Sequence, residues 1–253
     1  MTDAGRFALL PRLGIEPTVQ SIVHDALDAA IRAAEIRSPG SVTVLDAGCG
    51  RVSALRGFRG RIARLVGADI HEPSAPLPHL DAFKVVDLCR ATDSFGDRTF
   101  DGFADRTFDV VLSSFTLEHF ADPPAALRNL ARWLRPGGTF VATTVNRRHP
   151  FVAAYLGLPD GPRHALQTLV KASATDAHPI VGLCNDPTTI RRDLADAGFT
   201  NIQLWTVGHL ARAWGRHLPT FALGLVGDLL ANGSPSRRST IVVSATARQS
   251  ELG

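Results

Sequence analysis

Two glycines and three aspartates fall where a nucleoside can be held. Asp46-Ala47-Gly48-Cys49-Gly50 closes a short β-branched run. Glycines at such a place let the backbone turn sharply and let a ligand approach it closely. Asp69 ends a second apolar run, Leu65-Val66-Gly67-Ala68. An acid there can accept hydrogen bonds from both hydroxyls of a ribose, as in dinucleotide sites. Asp87 ends a third run and can accept from the exocyclic amine of a base. Ser113-Ser114 closes a fourth, over the place where the rest of the ligand would lie. The third glycine of a dinucleotide fingerprint would fall at position 53, which is Ser53. The set therefore describes a nucleoside site with no demand for a pyrophosphate.

Strand ends must converge to position these groups, and the chain alternates accordingly. Residues about 16–37 read as a helix, with Ile22, Val23, Ala26, Leu27, Ala30 and Ile31 at helical spacing and Pro39-Gly40 as the stop. Strands are expected at Val42–Asp46, Leu65–Asp69, Phe83–Asp87, Phe108–Ser113, Thr139–Val145, Ile202–Val207 and Ser239–Ala247. A weakly patterned helix is expected near 53–63. Asp122-Pro123-Pro124 opens a helix to about Leu134, and Arg135-Pro136-Gly137-Gly138 reads as a turn. Asp186-Pro187 opens another helix, closed by Gly198, and residues 208–231 look helical and apolar. Strands separated by helix-length connections imply an α/β fold with a parallel sheet covered on both faces. Residues about 147–186 are too long for a plain connection and read as a lid or substrate cap. Asp97–Asp101 recurs as Asp105–Asp109, which reads as a small duplication lengthening a loop.

In order along the chain, these motifs resemble those of the class I, Rossmann-like, S-adenosylmethionine-dependent methyltransferases. Val44-Leu45-Asp46-Ala47-Gly48-Cys49-Gly50 is similar to the family's first motif. Gly67-Ala68-Asp69-Ile70 resembles the ribose-binding acid with its neighbour, and Asp87-Leu88 the adenine-side position. Phe108 to Phe120 resembles the fourth-strand motif, and Leu134 to Thr139 the turn before the fifth strand. The resemblance covers residues about 42–145. It implies a seven-stranded, mostly parallel, doubly wound sheet in the order 3-2-1-4-5-7-6, with the last strand antiparallel. It also implies S-adenosylmethionine as cofactor and S-adenosylhomocysteine as product. Asp46, Ala47, Gly48, Cys49, Gly50, Asp69, Ile70, Asp87, Leu88 and Ser113 are then the expected cofactor-binding residues. The expected organisation is one domain over 1–253, with a core at about 40–146 and 187–248, a lid at about 147–186 and extra helices at about 208–231. Arg51-Val52 stand where the family often has a small residue, which bears on the methionine end of the pocket.

Methyl transfer needs a nucleophile placed near the methyl carbon, and a hydroxyl acceptor benefits from a base. His119 and His149 are the candidates for that base; His149 lies nearest the end of the fifth strand, and His164 and His178 lie further along the lid. The alternative for His119 is a structural role, since Leu-Glu-His after this strand is common in the family. Asn146-Arg147-Arg148 offers guanidinium groups for an acidic substrate, or is a solvated loop. Ser113-Ser114-Phe115-Thr116 replaces the Asn/Asp-Pro-Pro-Tyr/Phe of enzymes that methylate exocyclic amines of bases or glutamine amides. Glu118-His119 resembles a metal-binding variant with Glu-x-x-Glu-His, but the first glutamate falls at Phe115, so no metal is expected.

Composition narrows the class. The net charge is only +3, and the 27 basic residues, 25 of them Arg, are scattered, which argues against nucleic acid as a partner. Three cysteines without a CxxC pair suit a reducing cytoplasm. No apolar run suggests membrane insertion, and the first residues lack the pattern of a secretory signal. The stretch 221–230 is apolar nearly all round, and reads as core, substrate cap, dimer face or membrane-surface contact. The expected acceptor is a small, apolar or natural-product-like molecule, methylated on oxygen ahead of nitrogen or carbon, by a monomer or homodimer. The rival readings are a cofactor-binding protein without methyl transfer and a protein or RNA methyltransferase.

Overall fold

Seven strands lie side by side in the order β3-β2-β1-β4-β5-β7-β6. They are β1 (Thr43–Ala47), β2 (Arg64–Asp69), β3 (Ala82–Val85), β4 (Phe108–Ser114), β5 (Leu134–Val145), β6 (Phe199–Val207) and β7 (Thr240–Ala247). The computed structural model describes residues 3–15, 17–51, 53–90, 103–159, 161–165, 180–215 and 217–249. The first five strands pair in parallel, and β7 runs antiparallel between β5 and β6. Order and strand directions are those the motifs imply.

Side chains alternate across the pleat, and both faces are apolar. Val44, Leu65, Val110, Leu112 and Val141 face one layer, where Val23, Leu27 and Ile31 of helix α2 (Val19–Arg37) pack with them. This helix follows the short α1 (Asp3–Phe7). Leu45, Val66, Val111 and Phe140 face the other layer. There they meet Leu127, Leu130 and Trp133 of α3 (Pro123–Trp133), and Ile190 and Leu194 of α5 (Pro187–Asp196). Along the chain, α4 (Pro150–Leu156) falls between these two helices. The three helices that pack on the sheet, α2, α3 and α5, each start on a side-chain cap, and α3 and α5 carry proline in the first turn. Thr18 accepts from the Ser21 amide, Asp122 from Ala125, and Asp186 from Thr188 and Thr189.

Four local expectations change. The turn Arg135–Gly138 is a bulge inside β5, because pairing with β4 jumps from Phe108↔Leu134 to Val110↔Thr139. Fully buried Asp109 holds the bulge from β4 by pairing with Arg135 at 2.6 Å while accepting from the Thr43 amide at 2.9 Å. The segment after the glycine motif is a 3-10 helix, Ala54–Arg61, rather than an α-helix. β3 stops at Val85, so Asp87 stands in the turn beyond it.

The stretch 208–231 is two helices, α6 (Leu210–Ala213) and α7 (Leu218–Asn232). They cross so closely at Gly224 that any side chain there would meet the Leu210 carbonyl at 2.7 Å. Buried Asp228 of α7 caps α6, accepting from the Leu210 and Ala211 amides and from the Ser239 hydroxyl. The apolar stretch is therefore not wholly core. Phe221, Gly224 and Gly227 are buried, while Leu223, Val226, Leu229 and Leu230 stand exposed. The first copy of the Asp-Arg-Thr-Phe-Asp repeat lies outside the described residues, as do residues 160 and 166–179 of the expected lid.

Candidate active site

The glycine motif leaves β1 and docks on the end of β2. The Gly48 and Cys49 amides both donate to the Ala68 carbonyl, at 2.7 and 3.1 Å. Gly48 has φ +75° and lies against Thr116, where a side chain would come within 2.3 Å of the threonine hydroxyl. Only glycine satisfies both conditions. The Gly50 amide donates to Asp69 at 3.2 Å, so the acid at the end of β2 also fastens the loop. Among the described residues beyond its chain neighbours, no atom lies within 4 Å of where a Gly50 side chain would project, which leaves open backbone surface.

Asp46 is 1 % exposed, and its Oδ2 has no hydrogen-bond partner among the described residues. Burial pushes its carboxyl up to about 7, against a hydrogen bond from Ser53. Ser53, at the place of the missing third glycine, also accepts from the Leu55 amide and so starts the 3-10 helix. Sequence reasoning registered Ser53 as an absence and missed this connection. Arg51 reaches away to Ser74 at 2.7 Å, and Val52 lies outside the described residues.

The remaining nucleoside-side positions surround that surface unevenly. Ile70 is exposed, Cys49 and Leu88 are buried, and Asp87 accepts from the Cys89 amide at 2.9 Å. Ser113 is fully buried one residue before the end of β4, and its hydroxyl has no partner among the described residues.

Just past β4, Phe115 takes a φ of +52°, a strained choice for an aromatic residue. The Thr143 carbonyl and hydroxyl both accept from its amide. Its ring faces a cavity of about 340 Å3. Glu118 and His119 line the cavity from the same segment, Val145 from the end of β5, and Ser239 and Thr240 from the start of β7. Val152 and Tyr155 of α4, Ile180, Leu210 and Ala213 of α6, and Trp214 just beyond it close the cavity. Thr116 packs on Gly48, so this cavity adjoins the glycine loop.

His149 is not on that cavity wall. It is fully buried, its Nδ1 accepts from the Phe151 amide at 3.2 Å, and its Nε2 donates to the Gly227 carbonyl at 3.1 Å. With both nitrogens engaged it caps α4 and ties it to α7, and it has no site left for a substrate proton. His119 does line the cavity. His164 is exposed, and His178 lies outside the described residues. The arginines after β5 are engaged as well: Arg147 donates to the Gly182 carbonyl, and Arg148 pairs with Asp186 and Thr188. They tether the chain before α5 instead of facing an acidic substrate. Glu118 accepts from the Thr144 hydroxyl at 2.7 Å, and its carbonyl accepts from the Val181 and Gly182 amides.

Residues 19–204 match a family model described as a methyltransferase domain. The chain belongs to the methyltransferase domain family. Class I members of that family use S-adenosylmethionine as methyl donor. The methyltransferase is 34% identical over 108 residues to a ubiquinone biosynthesis O-methyltransferase of Idiomarina loihiensis. That match spans 41% of this chain and only 42% of the relative. Among solved structures it is similar to a geranyl diphosphate methyltransferase in complex with S-adenosylmethionine, with TM-score 0.58, 14% identity, and 97% and 90% of the two chains covered. It is also similar to the YcgJ protein of Bacillus subtilis, with TM-score 0.54, 15% identity, and 89% and 99% covered. At such identities the likeness is one of fold.

The groups around the glycine loop fit the cofactor. An open glycine surface, an acid at the β2 end and an unpartnered buried carboxylate oxygen offer places for the backbone-hugging chain, the ribose diol and a cationic amine. Asp69→Ala is expected to weaken S-adenosylhomocysteine binding by roughly 10- to 150-fold, because charge-assisted hydrogen bonds are worth about 1.5–3 kcal/mol. Calorimetric titration checks this; unchanged affinity in a folded variant contradicts the ribose role.

Proposed function

We propose that the protein transfers the methyl group of S-adenosylmethionine to a hydroxyl of a small, neutral, mainly apolar molecule. The cavity beside the glycine loop carries this reading. Its volume of about 340 Å3 is that of a small-molecule site, and among the described residues no Lys or Arg lines it. A carboxylate or phosphate acceptor calls for guanidinium or ammonium partners. The name of the curated relative, an O-methyltransferase, supports oxygen as the acceptor atom. The diphosphate acceptor named for the solved geranyl diphosphate enzyme does not suit these walls.

The cofactor supplies an electrophilic sulfonium methyl group, and the protein supplies position and dryness. Asp69 is assigned to the ribose, Asp87 with Leu88 to the adenine side, and Asp46 to the methionine amine. Phe115 and Thr116 form the partition between the two compartments. Helices α4 and α6 act together as the cap, with Val152, Tyr155 and Trp214 excluding water from the acceptor.

Calorimetric titration with S-adenosylmethionine, S-adenosylhomocysteine and a nicotinamide dinucleotide tests the cofactor. Binding of the first two and not the third is expected. A methyl-transfer screen of neutral phenols and alcohols against their carboxylated and phosphorylated counterparts tests the acceptor. Turnover confined to the charged set, or to protein or RNA, overturns this reading.

A further inference from the structure

His209, which the sequence reading left unremarked, lies at the start of α6 and lines the cavity. Its imidazole stacks on Phe115, with centroids 6.1 Å apart and planes 22° from parallel. Its backbone is fixed, because the amide donates to the Ser239 hydroxyl at 2.8 Å, and that hydroxyl donates onward to Asp228. Its ring is not satisfied: Nδ1 is buried without a partner among the described residues, and no hydrogen bond from them reaches the ring. A buried polar group left in that condition is costly, so native proteins rarely retain one without a use. The contrast with His149 is direct, since both nitrogens of that ring are engaged.

We infer that His209 is a specificity-determining residue that grips the acceptor's hydroxyl by hydrogen bonding, with its ring held by Phe115. The inference rests on the proposed small-molecule acceptor. One hydroxyl meets one ring nitrogen, and the nitrogen of a neutral imidazole that carries no proton accepts the hydroxyl's hydrogen bond. An ether, which only accepts, or a hydrocarbon forfeits that bond. The product of methylating that hydroxyl is itself an ether. The same residue therefore holds the substrate better than the product and favours product release.

Burial, with Arg212 beside it, pushes His209 down to about 4, so the ring stays neutral at working pH. The other titratable groups around it are Glu118, His119 and Tyr155 on the cavity wall and Asp228 behind Ser239. Hydroxyl binding through His209 is therefore expected to be level from about pH 5.5 to 8, where an ordinary histidine would gain its charge on the acid side.

The test uses the full chain saturated with S-adenosylhomocysteine, and a neutral alkylphenol with its methyl ether as probes. Calorimetry gives the affinities, and nuclear magnetic resonance of ring-labelled histidines reports the environment of His209. The parent is expected to bind the phenol at least tenfold better than the ether, with the His209 ring resonances moving for the phenol alone. In His209→Leu that preference is expected to fall to within about twofold, with S-adenosylhomocysteine affinity unchanged. His209→Gln, which can still donate and accept, is expected to recover part of it. Equal preference for phenol over ether in parent and His209→Leu overturns the inference and leaves the acceptor reading standing. Failure of the parent to bind any neutral phenol, with the cofactor product bound normally, overturns both.

Discussion

At pH 8 and without cofactor, Asp46→Asn is expected to be more stable than the parent by about 2–4 kcal/mol, from a shift of about three pKa units. Asp46 is buried at the end of β1 with one oxygen unpartnered, and burial raises its carboxyl from 3.8 to about 7. Below about pH 4 the group is protonated in the folded and unfolded chain alike, and the raised value stabilises the fold in full. Between about 4 and 7 the unfolded chain ionises while the folded protein keeps its proton, so stability falls as pH rises. Above about 7 both are ionised and the loss levels off. The asparagine variant lacks this slope. Urea unfolding of both proteins at pH 4, 6 and 8 measures it, and a constant difference across that range contradicts the burial argument. The same variant is expected to bind S-adenosylmethionine at least tenfold more weakly at pH 8, because it can no longer offer a carboxylate to the methionine amine. A group that costs stability when empty and returns it on binding marks a site shaped for its ligand.

Gly48→Ala is expected to lower cofactor affinity by a hundredfold or more. Two costs act together. The left-handed backbone at φ +75° penalises any residue with a Cβ by roughly 1–2 kcal/mol. The new methyl would also sit 2.3 Å from the Thr116 hydroxyl and 2.5 Å from its methyl, so the loop must lift from the end of β4. Adding Thr116→Ala removes those two contacts and leaves the backbone cost together with a 2.9 Å contact to the Cβ of residue 116. Partial recovery of binding in the double variant, measured by calorimetry, is therefore expected. Full recovery would make the clash with the threonine hydroxyl and methyl the only cost; no recovery would place the effect in the backbone and the remaining Cβ contact.

The cofactor side of the site was legible in the sequence because it is written locally. A strand, a glycine turn and an acid at the next strand's end each occupy a few consecutive residues, so Asp46, Gly48 and Asp69 stand out before any tertiary contact is known. The sheet order followed from the same motifs. The acceptor side was not legible, because Phe115, Tyr155, Trp214 and Ser239 meet only through packing. His149 looked like a base because it lies close after the end of the fifth strand; what buries it is α7, some 80 residues later. His209 gave no local signal at all, being one histidine before a short helix. The bulge at Arg135–Gly138 resembled a turn because proline and glycines mark both, and the buried partner that makes it a bulge, Asp109, lies on a neighbouring strand.

The partition at Phe115 and Thr116 has a consequence for how such an enzyme can change over generations. Every group assigned to the methyl donor sits on one side of it, mostly before residue 114, and the cap over the acceptor is drawn almost wholly from residues beyond 145. Substitutions in α4 or α6 can remodel the acceptor's compartment while the donor's stays intact. The lineage can thus exchange its repertoire of acceptors without passing through an inactive ancestor, and a laboratory library confined to Val152, Tyr155, Ala213 and Trp214 would sample that freedom directly.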